Sequence, residues 1–198
     1  MNCCYRAAHH VSKPKPLTSP RALPILHETP RYAPQLPLPP YSYVPGLFPH
    51  PVSDPVGHMH GQHEADMPRD DATSFGFDLF NHGYYWEAHE AWEHCWVAED
   101  RQGELADALK GLIKLAAAGV KAREGKPEGV RRHARRAEQL LRASSSPNQT
   151  SLPESWRQAS ADWAEQARRV HETADQWIDT RDQPVIAVFD FTLERPPC

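Results

Sequence analysis

Proline decides where this chain can be helical. Thirteen of its 20 prolines fall at or before Pro55, in runs such as LPLPPYSYVPG. Each one removes an amide donor and pushes its predecessor out of the helical region, so the first quarter of the 198-residue chain is barred from helix and from the middle of a sheet. Charge separates the same two parts: residues 1–63 carry a formal +3 and the remainder −7, for a total of −4. Residues 1–35 have the composition of a disordered tail. From 36 to 71 the reading changes, because Tyr41, Tyr43, Val44, Leu47, Phe48 and Val52 are frequent enough to pack as an extended arm on a neighbouring surface.

From residue 72 the apolar residues take up a helical period. Thr73 or Ser74 can cap a short helix through Phe75, Phe77, Leu79 and Phe80, with Asn81-His82-Gly83 as its stop. A second helix is expected from about Tyr84 to Glu99, and a third from about Glu104 to Arg123, where Leu105, Leu109, Leu112, Ile113, Ala116 and Val120 share one face. Pro127 and Pro153 suit the first turns of a fourth and a fifth helix, separated by the loop SSSPNQTSLP. In the fifth, Trp156, Trp163, Val170 and Trp177 recur every seven residues with Ala159, Ala167 and Ala174 between them, a close-packed seam that fits an internal core or a second subunit. The stretch VIAVFDF alternates like a strand but has no partner, so residues 181–198 are expected as an extended tail docked on the helices. The fold class is therefore all-α: a compact antiparallel bundle of about five helices over 72–180 with an extended Pro-rich N-terminal arm, read as one domain.

Several function classes are argued against by what the sequence lacks. No stretch approaches the roughly 18 apolar residues of a membrane span, and the first twenty residues have no signal-peptide core, which makes a soluble cytoplasmic protein the expectation. The four cysteines, Cys3, Cys4, Cys95 and Cys198, form neither a disulfide framework nor a zinc ribbon. Arg131, Arg132, Arg135 and Arg136 make two i,i+4 rows on the fourth helix. Behind them runs an apolar stripe and around them lies an acidic segment, so a solvated face is favoured over nucleic-acid binding.

The densest chemistry lies in YYWEAHEAWEHCWVAE. On a helical wheel Tyr85, Ala88, Trp92, Cys95 and Trp96 share the core face. His89 and Glu93 lie on its edge, one turn apart and flanked by Trp86 and Trp96, whereas Glu87, Glu90 and His94 point to the solvent side. At the rim of an aromatic core a carboxylate raises a histidine's proton affinity and burial lowers it, so His89 and Glu93 are candidates for acid–base catalysis or for metal ligation. The alternative is a hydrogen-bonded pair that fixes helix packing. The run HEAWEH fits neither H-E-x-x-H nor H-x-x-E-H, and the di-iron pattern Glu-x-x-His is missing as well. A second group, His58, His60 and His63, has the H-x-H-x-x-H spacing of metallo-β-lactamase-like hydrolases, but Gln62 stands where that chemistry wants an aspartate.

The run FNHGYYWEAHEAWEHCW from Phe80 to Trp96, with GLIKLAAAGVKAREG from Gly111 to Gly125, resembles the bacterial, archaeal and plastid family known as domain of unknown function 309 (DUF309). Its pattern is met by Phe80, Asn81, Gly83, Tyr85, Trp86, Glu87, Ala88, His89, Glu90, Trp92, Glu93 and Trp96, then by Gly111, Leu112, Ile113, Leu115 and Ala116. The resemblance covers about 74–142, and the LPPYSYVPG and FPHPVSDPVGH segments resemble an arm that some members carry. It implies a mostly antiparallel helical bundle, no established activity, and a signature patch of Glu87, His89, Glu90, Glu93 and Trp96.

Two functions remain in view. In the first the protein binds a divalent metal or a small ligand, with hydrolytic or acid–base activity conceivable: His89 and Glu93 act as catalytic groups or metal ligands, Trp86 and Trp96 wall the pocket, and Glu90 joins them in the ligand site. In the second the bundle is a non-catalytic interaction or scaffold protein and the same patch is structural. Whether it is an enzyme, what its partners are, and whether it forms a homo-oligomer are left open by the sequence.

Overall fold

Short breaks between long helical runs give this chain its architecture. The computed structural model describes residues 29–61 and 68–197. Five α-helices follow one another, α1 (Arg69–Asn81), α2 (Tyr85–Ala98), α3 (Glu104–Arg123), α4 (Pro127–Ser144) and α5 (Glu154–Glu172), and a 3-10 turn spans Ala174–Trp177. Among the described residues there is no strand. Each helix packs on the next, and the first three connections are too short for anything but a reversal, so the all-α antiparallel bundle expected from the sequence is the one observed.

α1 starts a turn earlier than its expected cap at Thr73. Pro68 precedes the first turn, and Asp70 and Asp71 complement the positive end of the helix dipole there. The hydroxyls of Thr73 and Ser74 turn back inside the helix and donate to the carbonyls of Arg69 and Asp70, at 2.9 and 2.7 Å. The α1–α2 reversal needs Gly83, which sits at φ +89° with its Cα so close to the tail that a Cβ would lie 2.7 Å from the Ile186 carbonyl.

The core is aromatic. Phe77 on α1 meets Trp92 of α2 edge-on at 5.3 Å and Trp163 of α5 at 5.5 Å, and Phe80 stacks on Phe189 of the tail. Gly76 makes room for the Trp92 indole, which is fully buried and donates to the Thr73 carbonyl. Burying a side chain of this size contributes about 3 kcal/mol. The seven-residue seam is likewise internal: Trp156, Trp163, Val170 and Trp177 are all buried within the single chain, Trp177 from the 3-10 turn and not from α5.

Extended chain lies on both sides of the α1–α2 pair. Without a ladder, its amides and carbonyls must be met by side chains, and buried polar residues do this. Asn81 exchanges two hydrogen bonds with the backbone of Leu193 (2.9 and 2.7 Å), the Tyr85 hydroxyl accepts from Val188 and Phe189, and Arg123 donates to the carbonyls of Asp179 and Gln183. The C-terminal chain lies on the helices, with Ile186, Phe189 and Leu193 buried. On the other side, part of the segment expected as disordered tail is anchored. Asp78, wholly buried, accepts from Arg31 Nε and from the amides of Tyr32 and Ala33, at 2.7–2.9 Å. Residues 1–28 of that expected tail lie outside the described residues.

Candidate functional site

α2 presents three stripes, each with a different environment. Tyr85, Ala88, Trp92 and Cys95 point into the core, as the wheel indicates. Trp96 is only partly buried against the core, and its ring carries Arg101 and Lys110 at 5.5 and 5.4 Å.

On the second stripe, Trp86, His89, Glu93 and Trp96 follow one another at helical spacing. His89 Nδ1 lies 3.1 Å from Glu90 Oε1 and 3.6 Å from Glu93 Oε2. One ligand atom from each of His89, Glu90 and Glu93 falls within 4.8 Å of the other two, and among the described residues this is the group of three that suits a metal ion. All three side chains are partly exposed. Glu93 therefore joins His89 at the expected i,i+4 spacing, and Glu90 reaches the same nitrogen from the next position along. Trp86 packs towards the arm, against Tyr43 and His50, so the two tryptophans flank the group at opposite ends and do not face each other across one pocket.

The third stripe overturns an expectation. Glu87, Glu90 and His94 are placed by the wheel towards solvent, but the arm buries Glu87 and lies over the partly exposed Glu90 and His94. Glu87 is 4% exposed; it accepts from the Tyr43 amide at 2.8 Å and from the Ser42 hydroxyl at 3.2 Å, and His58 Nε2 stands 3.6 Å from it. Periodicity tells which residues share a face and says nothing of what lies on it. Burial pushes the Glu87 carboxyl up to about 7 even though these hydrogen bonds and that of its own amide pull it down, and the neighbouring Glu90 charge adds to the rise. Burial also lowers His58. Between arm, α1 and α2 lies a cavity of about 630 Å³, lined by apolar side chains together with Asp71, Glu87, Glu90, His58 and His94.

Among the described residues the histidines of the arm do not assemble into one cluster. His58 faces Glu87, the His60 ring contacts the Val52 carbonyl at 3.1 Å, and His63 lies outside the described residues. On α4, His133 is pushed down to about 4, first by burial and then by the charges of Lys114, Arg132, Lys121 and His89. The arginine face of α4 is engaged at the surface: Arg131 pairs with Glu128 and Asp175, and Arg136 donates to Gln139.

Sequence reasoning missed Asp78 and the role of Glu87. The available signal was an acid inside an apolar run, Phe77-Asp78-Leu79-Phe80, preceded by an arm rich in extended chain whose amides lack partners. A buried carboxylate and unpaired amides satisfy each other.

Among the described residues no helix is long and apolar enough to cross a membrane. Comparison with curated proteins and with solved structures finds no match. The model of the family described as domain of unknown function (DUF309) does match, over residues 74–133, from within α1 through α2 and α3 into α4, and over that stretch the chain is similar to the DUF309 family.

Proposed function

We propose that the protein binds a divalent metal ion through His89, Glu90 and Glu93. The observation that carries this reading is the convergence of one imidazole nitrogen and two carboxylate oxygens within 4.8 Å on one exposed edge of α2. One borderline nitrogen and two hard oxygens suit zinc, manganese or ferrous iron, and a set of three protein ligands leaves positions open for water or substrate. An ion held so supplies Lewis-acid chemistry, which makes hydrolytic or acid–base turnover the class of activity to assay. His89 Nδ1 is the nitrogen that faces both carboxylates, so the ion takes the place of a proton and binding weakens as pH falls. Trp86 and Trp96 bound the stripe and limit water access from either end.

The test is elemental analysis of untagged protein, wild type beside His89→Ala and Glu93→Ala, with circular dichroism on each. Near-stoichiometric metal in the wild type and its loss from folded variants supports the proposal. Metal-free wild type after growth and purification with added zinc and manganese refutes it. A second reading has its own observation: His89 Nδ1 is already within hydrogen-bonding distance of Glu90, so the group can serve as a polar clasp in a non-catalytic scaffold. That reading requires His89→Ala to lower stability in the absence of any metal.

A further inference from the structure

The cavity beneath the arm shares Glu90 with the proposed metal site but is lined by neither His89 nor Glu93, and the metal site makes no use of its apolar walls. Its volume, about 630 Å³, falls within the range of about 300–1,000 Å³ usual for small-molecule sites. Leu36, Leu38, Met59, Phe75, Leu79 and Ala91 contribute apolar wall, the charged side chains in the lining are the carboxylates of Asp71, Glu87 and Glu90, and the His58 and His94 imidazoles complete it. No lysine or arginine lines it among the described residues. The nearby arginines are committed elsewhere, Arg31 to Asp78 and Arg69 to Glu99. The donors that reach Glu87, the Tyr43 amide and the Ser42 hydroxyl, are neutral, and burial disfavours protonation of the His58 ring that stands 3.6 Å away.

We propose that this cavity binds a small organic cation with an apolar body, an alkyl- or arylamine whose ammonium group lies against Glu87 and Glu90. An ammonium ion brings the positive charge that the lining lacks and donates up to three hydrogen bonds, while its hydrocarbon part covers the walls. A carboxylate ligand would meet only like charge. A neutral alcohol of the same shape would fill the apolar part and leave the acids unmatched.

The experiment is isothermal titration of the full chain, treated with EDTA, at pH 8.0 with 2-phenylethylamine, 2-phenylethanol and 3-phenylpropionate. The amine is expected to bind at least about tenfold more tightly than the alcohol, a difference of about 1.4 kcal/mol, and the acid not at all. Glu87→Gln or Glu90→Gln should reduce the preference for amine over alcohol, and Ala91→Phe, which fills the cavity from a partly exposed helical position, should abolish binding with the helical spectrum unchanged. Glu93→Ala, which removes a proposed metal ligand that does not line the cavity, should leave amine affinity as it is, which separates this site from the metal site whatever becomes of the latter. Equal affinity for amine and alcohol, preference for the acid, absence of saturable binding, or unchanged binding in Ala91→Phe each overturns the proposal.

Discussion

Replacing Glu87 by glutamine should make the protein more stable at pH 8 and leave it unchanged at pH 4. The reasoning starts from the covered carboxyl, raised from an ordinary value near 4.5 to about 7 by burial. Below about pH 4.5 the group is protonated in both folded and unfolded chains and contributes nothing to pH dependence. Between the two values the folded chain holds a proton that the unfolded chain has lost, so stability falls as pH rises, and above about 7 the full penalty is present. The span corresponds to ~3 kcal/mol at about 1.4 kcal/mol per tenfold change in proton affinity. Glutamine resembles the protonated acid and retains an acceptor for the Tyr43 amide, so it escapes this penalty. His133 works with the opposite sign, since a histidine lowered to about 4 costs stability as pH falls from about 6.5. The two effects oppose each other between pH 4.5 and 6.5, and only the difference between variant and wild type isolates Glu87. Urea unfolding of both proteins in EDTA at half-unit intervals from pH 4 to 8 gives that difference. A gap that opens from about zero to as much as ~3 kcal/mol in favour of the variant meets the expectation; a variant uniformly weaker at every pH refutes it.

Three further outcomes follow from the same contacts. Asp78→Ala removes the acceptor for Arg31 and two amides, leaves the buried Ala33 amide and two half-buried donors unmatched, and should cost about 3 kcal/mol, with amide exchange of Tyr32 and Ala33 accelerating before that of the helices. Gly83→Ala combines a left-handed backbone with a Cβ 2.7 Å from the Ile186 carbonyl, so it should lower the melting temperature and expose the tail near Phe189 to limited proteolysis. His133→Phe should flatten the loss of stability between pH 6.5 and 4 that the buried imidazole causes, measured by thermal melts across that window.

The helices were legible because their signals are local. Pro127 and Pro153 mark where α4 and α5 begin, and the apolar face from Leu105 to Val120 is unbroken by any polar residue that needs explaining. The start of α1 was less legible, because Thr73 and Ser74 satisfy cap preferences equally well when their hydroxyls bond backwards within the helix. His89 and Glu93 are one turn apart, so their proximity could be read directly. Glu87 could not be placed, since its environment comes from Ser42 and Tyr43, more than forty residues away, and from an arm whose path no periodicity records. Asp78 is the same case: a buried acid announces that a partner exists, and only the fold shows that Arg31 and two backbone amides are that partner.

The metal site is tested most directly by anomalous diffraction from crystals grown with zinc or manganese, recorded at the absorption edge of the ion. The account predicts one strong peak beside α2, about 2.0–2.2 Å from His89 Nδ1 and from carboxylate oxygens of Glu90 and Glu93, and no such peak in the His89→Ala protein. A peak elsewhere on the molecule, or none in wild-type crystals that hold the metal in their mother liquor, would contradict it.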